Sequence, residues 1–260
     1  MQALSAVSSN GSTRLGRQGR QGRQGQQRGL HMLRRLLGSG SDFFLHDMDS
    51  PQRNELESYI TRCFGQAYNA RIADFAPLLL ELRCAGSTSG VAGIRFAGKA
   101  PLFLENYLDA PVEQVASKVA SQPIARNEVV EMCNLAALRP GACQLINILL
   151  AVALQRAGFR YAGFAGTAQL ERIVRKQHFA VTAVAVADPV RLGADADRWG
   201  SYYDTRPNVL LVDLQQTMGA LRTQYLPTAV CAIFAETIDS LSAHLAEFNR
   251  PAALADAAVS

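Results

Sequence analysis

A chain of 260 residues, 48% of them apolar, holds enough for one large domain with its own core, and no apolar run reaches the roughly 18 residues that a membrane-spanning helix needs. The net charge of +4 belongs to one end: seven arginines and no acid fall in residues 1–40, so residues 41–260 carry a net −3 and a broad nucleic-acid face is not expected. Five scattered cysteines without CxxC or Cys/His ligand spacing, and four histidines without an HExxH-type cluster, predict free thiols in a reducing compartment and no metal.

Residues 1–40 are low in complexity, with Gly-Arg-Gln repeating from Gly16 to Gln24. They cannot bury enough apolar surface to order themselves, so a disordered tail is expected. The functional alternative is an electrostatic arm for RNA or an anionic membrane surface; a start at Met32 or Met48, or a transit peptide, is also compatible. No apolar signal run precedes the arginine repeat, so a cytoplasmic location is expected. Phe43 to Leu45 predict a first strand. Ser50-Pro51 predict a helix start, with serine as cap and proline at the first helical position. Leu56, Tyr59, Ile60, Cys63 and Phe64 form the apolar stripe of that helix. A loop over residues 68–76 carries Asp74. Residues 78–84 and 91–97 read as two strands joined by a hairpin segment, 85–90. Leu102 to Leu108 lead into a helix after Pro111.

Residues 126–179 organise the rest. A strand over 126–135 is followed by a largely buried helix, in which only Gln144, Asn147 and Gln155 break the apolar surface and which Gly158 ends. A second strand over 159–165 and a helix from Ala168 to about His178 complete a right-handed parallel crossover. Glu131 is out of place, because a carboxylate in an apolar strand costs several kcal/mol unless paired or protonated. Asn134 follows three residues on, and a bulge between the two would turn both to one side. The bland alternative is a solvated strand face, or an arginine partner.

Beyond the crossover, residues 181–187 predict a strand stopped by Asp188-Pro189. A long loop over 188–208 holds Trp199, Tyr202 and Tyr203, either as a lid or tunnel lining or as cover for a core edge. Residues 209–212 predict a short strand, and Asp213 caps a helix to about Leu226. Residues 228–234 predict an edge strand, and Thr237 caps a last helix bearing Ile238, Leu241, Leu245 and Phe248. Residues 41–248 form one domain, and 249–260 a flexible tail.

Three motifs together resemble the bacterial thermostable hemolysin family: Phe103-Leu104-Glu105-Asn106-Tyr107-Leu108-Asp109-Ala110-Pro111, Val130-Glu131-Met132-Cys133-Asn134-Leu135-Ala136, and Trp199-Gly200-Ser201-Tyr202-Tyr203. More distantly, the same region is similar to acyl-homoserine-lactone (autoinducer) synthases of the GNAT-type acyltransferase fold. There, Gly93-Ile94-Arg95 stands at a glycine–arginine strand, Glu131 to Asn134 at a Glu-x-x-Arg strand with Asn134 replacing the arginine, and Gln169 to Arg175 at a basic helix.

The resemblance implies an α/β (α+β) fold, a GNAT-like mixed central sheet flanked by helices. It implies a thioester of CoA or of an acyl carrier protein as co-substrate, with no permanently bound cofactor, threaded between two splayed parallel strands. Leu135, Arg139, Gly141 and Ala142 would hold the pantetheine arm and its phosphate at a helix N-terminus. Glu131 would be the general base toward an amine or amino-acid-like acceptor, with Asn134 beside it, a strand amide near Cys133 as oxyanion donor, and Cys133 itself a remote alternative as nucleophile. Arg95 would hold an acceptor carboxylate, and Glu105 and Asp74 its ammonium, unless Arg95 and Glu105 simply pair with each other. Trp199, Tyr202 and Tyr203 would line the acyl site. Two other classes stand beside N-acyl transfer: a cytolysin acting on membranes, and a non-catalytic module that binds acyl carrier protein.

Overall fold

The structure is a computed structural model and describes residues 40–250; the expectations for residues 1–39 and 251–260 lie outside the described residues. Among the described residues, seven strands form one mixed sheet in the order β1-β2-β3-β4-β5-β7-β6. They are β1 Ser41–His46, β2 Leu78–Cys84, β3 Ser87–Phe96, β4 Val129–Ala137, β5 Tyr161–Gly166, β6 Ala180–Val186 and β7 Asn208–Asp213. Only β4 and β5 run parallel, joined through helix α3, Ala142–Arg156. The other helices are α1 Arg53–Tyr68, α2 Val112–Ala120, α4 Ala168–Lys176, α5 Leu214–Leu221, α6 Tyr225–Ile233 and α7 Ala235–Phe248. The fold class is therefore the mixed, helix-flanked α/β sheet that was expected.

Strand alternation divides the core in two. Val130, Ala162, Leu210 and Val212 join the larger apolar cluster with α3, while Val129, Tyr161, Val209 and Leu211 join a smaller one beneath Leu102, Leu104 and Tyr107. Helix α3 is apolar nearly all round because it is buried nearly all round: it packs on β3 and β4 and is covered by α5, α6 and α7. One of the few buried carboxylates, Glu81, is fully satisfied by His46 Nε2 at 3.0 Å, Arg83 Nε at 2.9 Å and Thr88 Oγ1 at 2.6 Å, which fastens β1 to the β2–β3 hairpin.

Four local expectations are corrected. The hairpin turn is the two residues Ala85 and Gly86, both at positive φ, and β3 begins at Ser87 rather than Val91. Ser50 does not cap α1, because its hydroxyl is held by His46 Nδ1 at 2.8 Å; the helix starts at Arg53, behind Gln52. Residues 225–233 are a helix, not an edge strand. The branched Val-Cys-Ala-Ile run suggested β, but Pro227 in the first turn and Val230 bury one helical face, and α6 packs on α3. Thr237 caps nothing, since α7 begins at Ala235 directly after α6, turned by 79° at Phe234. At the C-terminal boundary, Asn249 is tied to the Asn127 carbonyl at 2.8 Å.

The long segment after β6 is not open loop. Residues 189–205 form 3₁₀ turns broken at Gly193 and Gly200, both at positive φ. The Gly200 turn presses on the end of α1: a Cβ there would lie 2.1 Å from the Tyr68 carbonyl oxygen, whereas one at Gly193 meets nothing within 4 Å. Gly200→Ala should therefore cost roughly 2 kcal/mol or more, and Gly193→Ala about 1 kcal/mol from backbone strain alone. Denaturant unfolding of the two variants checks this order.

Candidate functional site

The parallel ladder between β4 and β5 is short. Val129 pairs with Tyr161, Val130 with Ala162 and Glu131 with Gly163, and there it stops, although β4 continues to Ala137 and β5 to Gly166. Each strand keeps its outer neighbour: β4 pairs with β3 as far as Ala137, and β5 with β7 as far as Gly166. The two strands have splayed, and the β4 backbone facing the gap has no ladder partner there.

Glu131 sits where the splay begins. It is 2% exposed, and its two oxygens accept the Phe103 amide at 2.8 Å and the Leu104 amide at 3.0 Å. These amides point at it because residues 103–107 form a 3₁₀ turn over this face of the sheet. Burial pushes the Glu131 carboxyl up to about 7; its cross-strand neighbour Arg95 and the two amides offset only part of that. It can therefore both hold and release a proton near neutral pH.

A bulge is present, but beyond the place expected: pairing with β3 is regular from Glu131 to Cys133, and the irregularity falls between Cys133 and Ala136. Gly93 pairs with Cys133 but Val91 with Ala136, so β4 carries one extra residue, and Asn134 takes a left-handed φ of 49°. Both ends of its carboxamide are engaged: Oδ1 accepts the Ala76 amide at 2.9 Å, and Nδ2 donates to the Asp74 carbonyl at 3.1 Å. Gly93 permits this approach, since a Cβ there would lie 2.8 Å from Asn134 Oδ1. Asn134 thus positions the loop that carries Asp74. Arg53 helps by donating to the Ala76 carbonyl at 2.6 Å, a role that helical periodicity alone did not reveal.

Arg95 and Glu105 do not pair with each other. Arg95 Nη2 meets Asp74 Oδ1 at 2.8 Å, and its buried Nε has no partner among the described residues. Glu105 forms a two-pronged pair with Arg126, each contact 2.7 Å, and also accepts the Leu102 and Val112 amides. Although burial pulls it upward, Arg126 and those amides hold the Glu105 carboxyl down at about 2. Glu105 thus braces the turn that serves Glu131, and its carboxylate, expected to meet an acceptor's ammonium, is held by Arg126 and two amides. Burial, and then the Glu131 charge, push the Cys133 thiol far above its ordinary range, which opposes a nucleophilic role.

A cavity with an accessible volume of about 80 Å³ runs through the gap between β4 and β5. At one end lie Glu131, Phe103, Tyr107, Trp199 and Tyr202; at the other, on the α3 side, lie Asn147, Ala151, Val174, Phe179 and Leu214. The aromatic residues form a packed roof. Trp199 stands 5.5 Å from Phe103 and 5.4 Å from Tyr202, ring centre to ring centre. Tyr202 donates to the Ala165 carbonyl on β5 at 3.2 Å, and Tyr203 lies behind the roof, 2.5 Å from the Tyr107 hydroxyl. Leu135 also lines the cavity. Arg139 is exposed ahead of α3, where Gly141 caps the helix at φ 86°, Ala142 begins it, no side chain caps it and no acid occupies the first turn. The notable residue the site adds is Asn147, visible in the sequence as a polar break in an apolar helix.

The raised Glu131 carboxyl predicts a pH signature. Its ordinary value is 4.5, so between 4.5 and about 7 the folded chain keeps a proton that the unfolded chain has lost. Stability should fall by about 3 kcal/mol as pH rises through that window and level off above it. Urea unfolding across pH 4–8 should show this fall in the wild type and not in Glu131→Gln.

No curated protein matches the chain. Among solved structures it is similar to the apo form of TofI, at 19% identity and TM-score 0.49, covering 73% of this chain and 99% of that one. FeeM, an N-acyl amino acid synthase from uncultured soil microbes, aligns at 12% identity and TM-score 0.48, covering 73% and 98%. The acyl-homoserine-lactone synthase LasI aligns at 13% and 0.47, covering 68% and 91%. The profile of the thermostable hemolysin family matches residues 46–218, the greater part of the chain and the whole of the site, and this protein belongs to that family.

Proposed function

We propose that this chain is an N-acyltransferase, moving an acyl group from a thioester of CoA or an acyl carrier protein to the nitrogen of an amine or amino-acid-like acceptor. The observation that carries this reading is the cavity passing between the splayed strands β4 and β5 with a buried, proton-exchanging Glu131 at one end. A thioester carbonyl placed at the gap sends its acyl chain to the apolar α3 side and leaves its carbon open beneath the aromatic roof. The pantetheine amides find hydrogen-bond partners on the β4 backbone that β5 has left, and the open N-terminus of α3, near Arg139, Gly141 and Ala142, suits the phosphate.

In the reaction, Glu131 takes a proton from the acceptor's ammonium, and the freed nitrogen attacks the carbonyl carbon. A β4 amide beyond Glu131, beside Cys133, stabilises the oxyanion. The C–S bond then breaks, the N–C bond remains, and the thiol leaves with a proton. Asp74 and Arg95 stand next to Glu131 as an ion pair with opposite preferences, so an amino-acid-like acceptor can meet Asp74 with its ammonium and Arg95 with its carboxylate. Trp199 and Tyr202 exclude water above the carbonyl.

The test is mass spectrometry of lipids from cells expressing the wild type and Glu131→Gln. A new acylated amine should appear with the first and be absent with the second. Turnover of the purified variant should drop about 10²- to 10⁴-fold while its fold is kept. Equal product from both would refute the assignment, and lysis of red cells by purified protein without an acyl donor would favour a direct cytolysin.

A further inference from the structure

The polar side chains on the wall of the through-sheet cavity are almost all engaged inside the protein. Glu131 is held by two amides, Asn134 by the Ala76 amide and Asp74 carbonyl, Tyr107 by Tyr203, and Tyr202 by the Ala165 carbonyl. Asn147 differs. It is 3% exposed in the middle of α3, and its carboxamide makes one contact, 3.8 Å from Nδ2 to Cys143 Sγ one turn earlier. Sulfur is a weak acceptor, so the carboxamide keeps most of its hydrogen-bonding capacity for a ligand in the cavity it lines. Leucine here would be the better helix former and would extend the run of Leu145, Ile146, Ile148 and Leu149. Ala151, Val174, Phe179 and Leu214, which line the cavity on the same side of the sheet, carry no polar side-chain group. A ligand is left to supply one.

Asn147 lies on the α3 side of the sheet, and Glu131 beneath the 103–107 turn on the other. Whatever meets Asn147 is therefore part of the acyl chain beyond the carbonyl, not the acceptor. A hydroxyl both donates and accepts, so it satisfies the carboxamide whichever way that group is turned. We propose that the chain selects hydroxylated fatty-acyl thioesters, with Asn147 as the residue that reads the hydroxyl. The inference rests on the acyl-transfer reading and adds the chemistry of the donor to it.

Trp199, the sole tryptophan, lines the same cavity and reports its occupancy by fluorescence. The probes are S-decanoyl-pantetheine and its isomers with a hydroxyl at the third, fifth or seventh carbon of the chain. The wild type should bind one hydroxylated isomer about ten-fold more tightly than the plain chain. Asn147→Leu should lose that preference while binding the plain chain at least as well. Equal wild-type affinity for plain and hydroxylated chains overturns the proposal without recourse to the variant, as does a preference that survives in Asn147→Leu. If no thioester binds, the acyl-transfer reading falls and takes this inference with it; if plain and hydroxylated chains bind alike, only the inference falls.

Discussion

A buried carboxylate held by two backbone amides is the constraint on which this structure turns. Taking Glu131 out of water costs several kcal/mol unless something compensates. The compensation comes from Phe103 and Leu104, whose amides point at the strand only because residues 103–107 wind into a 3₁₀ turn. That turn is braced in its own right. Glu105 takes the Leu102 and Val112 amides, and Arg126 neutralises it with a two-pronged pair. An outer ion pair thus fixes a turn, the turn fixes an inner acid, and the inner acid is left near neutral pH where β4 and β5 separate.

The opening has a simple cause in the topology. β4 and β5 are bound firmly on their outer sides by antiparallel neighbours, and to each other by only three residue pairs. The extra residue at Asn134 bends β4 at the point where the parallel ladder has already ended. Asn134 then fastens the bend to the loop carrying Asp74, while the aromatic roof is anchored by Tyr202 to the far end of β5. The gap is therefore held open from both sides by side-chain to backbone bonds.

Much of this was legible in the residues. An acid in an apolar strand, an asparagine at the wrong parity three positions later, and a helix apolar on nearly every side pointed to the stretch where β4 and β5 separate. What stayed hidden were partners distant in sequence. Arg126 rather than Arg95 takes Glu105, and Asp74 takes Arg95, because both choices depend on how loops cross the sheet. Local propensity failed where tertiary packing outweighed it: the branched residues of α6 read as strand, and Ser50 read as a cap although a histidine four residues earlier claims its hydroxyl. Asn147 was visible as an interruption, but its meaning needed the cavity.

The central claim is that a thioester lies between β4 and β5 with its carbonyl at Glu131. The most direct measurement is a crystal structure of the protein with a non-reactive thioether analogue of decanoyl-pantetheine. The account predicts the pantetheine amides on the β4 backbone beyond Glu131 and the alkyl chain on the α3 side of the sheet. An analogue bound elsewhere, or β4 and β5 joined along their length with no chain between them, would contradict it.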